Sequence, residues 1–197
     1  MAGEHTRQDV ERAAERFERL ADELDVDRVR MLRPARPADA DRLAEIHVAA
    51  WRAAYDGVMS EASLSALGVE ERARWWRDLL GGETPPRVTV IGDHGGLAGF
   101  LIPAEPSRDP AAVERTAEIA ALNVDPEQWG RGFGGELVRD ALERLRREHW
   151  RAVTLWVASG NERAIRFYRS IGFDFDGARG VDDNGVAEQR MTFDLVP

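Results

Sequence analysis

The stretch EIAALNVDPEQWGRGFGGELV, residues 118 to 138, sets a short apolar run and a turn with four glycines directly before an amphipathic helix. Glu118 to Val124 reads as a buried strand, and Glu136 to Glu148 as a strong helix. Between them QWGRGFGGE, residues 128 to 136, brings main-chain N–H groups to a helix N-terminus. Unpaired donors and aligned peptide dipoles favour an anion there. Gly130, Gly132, Gly134 and Gly135 let a phosphate come close to the backbone. The segment alone leaves two other readings open. One is a glycine-rich turn with no ligand. The other is a dinucleotide-binding turn, since Gly130, Gly132 and Gly135 also satisfy G-x-G-x-x-G. That turn requires an acidic ribose ligand about 20 residues on, at the end of the next strand. Thr154 to Gly160 contains no Asp or Glu, and the strands before the glycines read as antiparallel.

Working outward, RVTVIG, a turn at DHGG and LAGFLIPA form an antiparallel hairpin from Arg87, where the apolar period changes to two. Upstream, Val29 to Leu32 reads as a short strand ended by Pro34 and Pro37. Asp39 is an N-cap candidate for a helix running to about Tyr55, with a second helix over Val69 to Leu80. Downstream, AVTLWVA (152–158) is a strand and NERAIRFYRSIG, from residue 161, a helix. FDFDGAR and VAEQRMTFDL then close a hairpin around Asp183, Asn184 and Gly185. The pattern predicts one α+β domain over residues 29–197, a sheet flanked by helices in three layers. Residues 1–28 form a separate helical extension. In it Val10, Phe17, Leu20 and Leu24 make an apolar stripe too narrow to stand alone in water, which suggests cover from the domain itself or from a second copy in a homodimer.

Composition removes whole classes of chemistry. The 197 residues hold no cysteine, so disulfides, thiolate metal sites and cysteine nucleophiles are excluded. All 27 basic residues are arginine, which excludes Schiff-base lysines and a P-loop lysine. A net charge of −9 argues against a nucleic-acid partner. No apolar run approaches the ~18 residues of a membrane span, and the charged N-terminus resembles neither a signal nor a transit peptide. A cytoplasmic protein without a membrane partner is expected. The four histidines are scattered without metal-ligand spacing, so no metal is expected either.

The glycine segment, followed about 25 residues later by ASGNERAIRFYRSIGF (158–173), resembles the GNAT superfamily of acyl-CoA-dependent N-acyltransferases. The family's pyrophosphate loop, [RQ]-x-x-G-x-[GA], frames Trp129, Gly130, Arg131, Gly132, Phe133 and Gly134, with Trp129 in place of the Arg or Gln. The later pattern N-x-x-A-x-x-F-Y-x-x-x-G-F falls on Asn161, Ala164, Phe167, Tyr168, Gly172 and Phe173. The resemblance covers about residues 29 to 195. It implies the GNAT fold, with a mixed central sheet split between its fourth and fifth strands, and acetyl-CoA as co-substrate. The split is expected to hold the pantetheine arm against Leu122, Asn123 and Val124 by strand addition. The loop through Gly135, with Asn161, Ala164 and Phe167, would complete the coenzyme site.

The resemblance also implies N-acetyl transfer to a primary amine of a small molecule or peptide, by direct attack in a ternary complex. An acyl-CoA-binding regulatory or interaction protein without turnover is the alternative. Tyr168 aligns with the tyrosine that protonates the coenzyme A sulfur in many members, and otherwise anchors its helix. Glu118 falls where several members keep a base acting through water, and is otherwise a solvated strand end. His47, Trp51 and Tyr55 recur every four residues on one helix face, as core packing or, for Trp51 and Tyr55, as an acceptor-pocket wall. Asp182, Asp183 and Glu188 could attract a cation, though Asp-rich turns are first of all turn chemistry. A side chain at Gly132 is expected to obstruct the pyrophosphate.

Overall fold

The computed structural model describes residues 29–55, 67–182 and 184–196. The expected N-terminal helix, most of the loop after Tyr55, and Asp183 lie outside them. The elements are β1 (Met31–Pro34), α1 (Ala40–Ala54), α2 (Val69–Gly81), β2 (Thr89–Asp93), β3 (Gly96–Ala104) and β4 (Thr116–Val124). They continue as α3 (Phe133–Arg147), β5 (Ala152–Ala158), α4 (Glu162–Ile171), β6 (Asp174–Val181) and β7 (Ala187–Asp194). The seven strands form one sheet in the order β1-β2-β3-β4-β5-β7-β6. Every pairing is antiparallel except β4 with β5.

That parallel pair is brief. It joins Thr116 with Ala152, Ala117 with Val153 and Glu118 with Thr154, after which β4 runs on to Val124 unpaired on that side. The cause lies on the other edge of β4. Ile119 is opposite Pro103 and Ala121 opposite Ile102, so Ala120 is an extra residue on β4. Such a bulge bends and twists its strand, and here it coincides with the departure from β5. The α+β reading and the split between the fourth and fifth strands are thus both present.

Each face of the sheet has its own apolar layer. On one, α3 contributes Leu137, Val138, Ala141 and Leu145 against Val153, Leu155, Val157 and Met191. These helix positions recur every three or four residues, the spacing that keeps one face inward. On the other, Leu43 and Ile46 of α1 and Trp76 of α2 pack on Val90 and Phe100.

Three boundaries differ from the sequence expectation. β1 begins at Met31 and includes Pro34, because pairing with β2 sets its register and an outer strand tolerates a residue without an N–H. Asp39 occupies the N-cap position of α1 but does not cap it. Its carboxylate accepts from Arg36 N at 2.8 Å and from both terminal nitrogens of Arg33, closing the 3-10 turn Pro37–Asp39 instead. α3 starts at Phe133, inside the glycine segment, because Gly132 with φ +91° supplies the left-handed entry.

Candidate active site at the split

Where β4 leaves β5 the molecule holds a cavity of about 680 Å³ that reaches both layers of helices. β4 lines it with Leu122, Asn123 and Val124, and the first turn of α3 with Gly132, Phe133, Gly134 and Gly135. α4 supplies Ala164, Phe167 and Tyr168. α-Helix geometry leaves the first-turn N–H groups without intrahelical partners, and no side chain caps them here. A methyl at Gly130 or Gly135 would meet nothing within 4 Å, so the backbone there faces open space. This cradle fits a pyrophosphate, and the unpaired edge of β4 fits the amides of a pantetheine arm.

The loop is fastened from several directions. The Trp129 indole N–H donates to the Val124 carbonyl at 2.8 Å, and the Arg163 guanidinium lies 3.9 Å over its ring. Trp129 therefore ties the loop to the end of β4 where the family form carries Arg or Gln. Asp125 accepts from Glu127 N at 3.0 Å and from Arg42 at 2.6 Å, fixing the turn before it. Arg30 donates to Glu136 and to the Arg131 carbonyl, with its guanidinium 4.5 Å over the Phe133 ring. A Cβ on Gly132 would stand 3.3 Å from Arg30 Nη1, on a backbone with positive φ. The expected obstruction at Gly132 is thus replaced by backbone strain and a clash with Arg30.

Two of the expected coenzyme residues act differently from a direct lining group. Asn161 is in the wall, yet its carboxamide oxygen accepts from Ala164 N at 3.0 Å and so caps α4. Arg131 is not in the wall; it pairs with Asp93 at 2.9 Å on the outer side of the loop. Ala50, Ala53 and Ala54 of α1, with Gln128 and Arg163, line the cavity without having been singled out. The alanines were visible as a small-residue stripe at helical spacing, but that pattern equally means close packing. Nothing in the sequence distinguished Arg163 among 27 arginines.

Tyr168 is buried at 8% exposure, and its hydroxyl makes no hydrogen bond among the described residues. Burial, with a smaller contribution from Tyr55, raises its pKa well above the ordinary tyrosine value. Glu118 is buried but outside the cavity wall. Its carboxylate accepts from Ser107 Oγ at 3.1 Å, Arg108 N at 3.0 Å and Arg108 Nη2 at 3.0 Å. Trp51 and Tyr55 also lie outside that wall, stacked with ring centroids 5.0 Å apart. His47 sits 5.7 Å from Trp51 and from Phe100, with its Nδ1 unpartnered. Burial, then the Arg72 charge, brings its pKa down to about 3. Burial, then Glu188 and Asp182, pushes Tyr55 up to about 12.

A split mixed sheet with a glycine cradle at one end of the gap defines an acyl-CoA-type transferase scaffold. Comparison with known proteins agrees. Residues 41–173 match the family model described as Acetyltransferase (GNAT) family. The chain belongs to that family of acetyltransferases. It is 38% identical over 141 residues to mycothiol acetyltransferase of Brachybacterium faecium, a match covering 71% of this chain and 40% of that enzyme. The counterpart from Sanguibacter keddieii is covered over 25% of its length. The chain thus spans well under half of these relatives.

Among solved structures, PaiA N-acetyltransferase of Thermoplasma acidophilum in complex with coenzyme A superposes with TM-score 0.66 at 17% identity, over 84% of this chain and 99% of that one. YncA of Salmonella typhimurium with acetyl-CoA gives 0.61 at 23%, over 86% and 95%. At these identities the likeness establishes the fold. Among the described residues no helix is long and apolar enough to cross a membrane.

Proposed function

We propose that the protein transfers the acetyl group of acetyl-CoA to a primary amine of a small molecule or peptide, by direct attack within a ternary complex. The observation that carries this reading is the buried, unbonded Tyr168 hydroxyl in a cavity whose other end is the glycine cradle. A protein that merely held the coenzyme would have no need for an unsatisfied polar group there. The coenzyme-bound PaiA and YncA structures support the choice of coenzyme, and the mycothiol acetyltransferases support acetyl transfer.

In this reading the first-turn N–H groups of α3 hold the pyrophosphate, and Leu122 to Val124 align the pantetheine arm. A strand amide near Leu122 polarises the thioester carbonyl. The amine nitrogen forms a bond to the carbonyl carbon as the carbon–sulfur bond breaks. The ammonium proton leaves to Glu118 through water, and Tyr168 gives its proton to the departing sulfur. The raised pKa of Tyr168 keeps that proton in place until sulfur becomes anionic.

Thiol release from acetyl-CoA across a panel of primary amines tests the reading, with no protein thiol to interfere. Release that depends on an amine is expected. Coenzyme binding without release for any amine would favour the holding protein. In the same assay Glu118→Gln should slow the reaction most at low pH, where the acceptor is mainly ammonium. A rate ratio to wild type that stays flat with pH would remove Glu118 as the base.

A further inference from the structure

The face of the sheet that carries α1 and α2 bears three acidic side chains near the split. Side chains alternate along a strand. Ile119 and Met191 enter the α3 layer, so Glu118 and Glu188 point to the opposite face. Glu118 pairs with Thr154 and Glu188 with Ala158, flanking β5 on its two sides. Asp182, at the end of β6, completes the group. The field of these residues runs to the cavity: Glu188 and Asp182 act on Tyr55, and Tyr55 acts on Tyr168.

The three carboxylates differ in what they already hold. Asp182 accepts from Asn184 N at 2.9 Å, Val186 N at 2.8 Å and Asn184 Nδ2 at 3.2 Å, which is ordinary turn closure. Glu118 is committed to Ser107 and Arg108. Glu188 is half-buried and, among the described residues, has neither a hydrogen bond nor an ion pair. Arg190, two residues along the same face, is taken by Asp109 and Asp176, each at 2.6 Å. The described residues offer no cluster able to hold a metal ion here. A half-buried carboxylate beside two others is unfavourable unless a cation satisfies it. The unbonded Tyr168 hydroxyl, more than nine-tenths buried, marks the same place as incomplete without a ligand.

We infer that Glu188 docks the positive charge of the acceptor, and that the acceptor is a primary amine with no carboxylate near its amino group. This rests on the acetyltransferase reading above. Tyr55 and its stacked partner Trp51 offer aromatic faces to the same cation. An acceptor carboxylate would meet Glu118, Asp182 and Glu188 and be repelled.

Calorimetric titration of the full chain with 1,4-diaminobutane and with 4-aminobutanoate, matched in length, tests the inference with and without coenzyme A present. The diamine should bind and 4-aminobutanoate should not. Glu188→Gln should weaken the diamine by about tenfold or more, the scale of one lost charge contact, with coenzyme affinity unchanged. Equal diamine affinity in wild type and variant, no diamine binding, or equal binding of the two probes would overturn it. Should Glu188→Gln not fold, the matched probes on wild type still decide. Failure of coenzyme A to bind would overturn the reading of the cavity instead, and the coenzyme-free diamine titration would remain a separate result.

Discussion

The two sides of the split are made of different material. The coenzyme side is main chain: the edge of β4, a glycine loop and the first turn of α3, all within residues 118–136. The acceptor side is side chain, assembled from Tyr55 at the end of α1, Glu118 on β4, and Asp182 and Glu188 of the β6–β7 hairpin. A main-chain site recognises what every member of a family shares, because its donors do not change with sequence. A side-chain site can change at each position without disturbing the fold, and so can specify an acceptor. Tyr168 stands between them and answers to both.

The sharpest way to break this division is at Tyr168 itself. Tyr168→Phe should lower kcat about 100-fold, the usual worth of one positioned acid, while coenzyme affinity measured by calorimetry stays as in wild type. Unchanged kcat would return Tyr168 to packing and leave the two sides without a chemical link.

A second test concerns what supports the acceptor side. His47 lies beneath Trp51 with its imidazole held neutral, at a pKa of about 3 against an ordinary 6.5. The unfolded chain takes up a proton below the ordinary value and the folded chain does not, so stability falls as pH drops through that window. At about pH 5 the loss due to His47 is about 2 kcal/mol relative to neutral pH. His47→Leu should remove that part of the acid sensitivity in urea unfolding measured at both pH values. An unchanged pH difference would mean the imidazole is not buried neutral.

The third sharpens the coenzyme side. Gly135 has open space where a Cβ would go and no positive φ, unlike Gly132. Gly135→Val should raise the coenzyme dissociation constant about tenfold or more, roughly 1.4 kcal/mol, with the unfolding midpoint little changed. Wild-type affinity in the folded variant would place the pyrophosphate elsewhere.

Sequence alone determined the element order, the family and most of the coenzyme side, since strand, glycines and helix are contiguous and their spacing is read directly. It did not show that Asn161 caps a helix, that Arg131 turns outward, or that Gly132 faces Arg30. Those outcomes depend on segments distant in the chain. Register and the bulge at Ala120 opened the split, and the fold alone left Glu188 unpaired while giving Glu118 and Arg190 partners. Neighbours within a few residues are fixed by local geometry, whereas which carboxylate meets which arginine is settled only when the sheet closes.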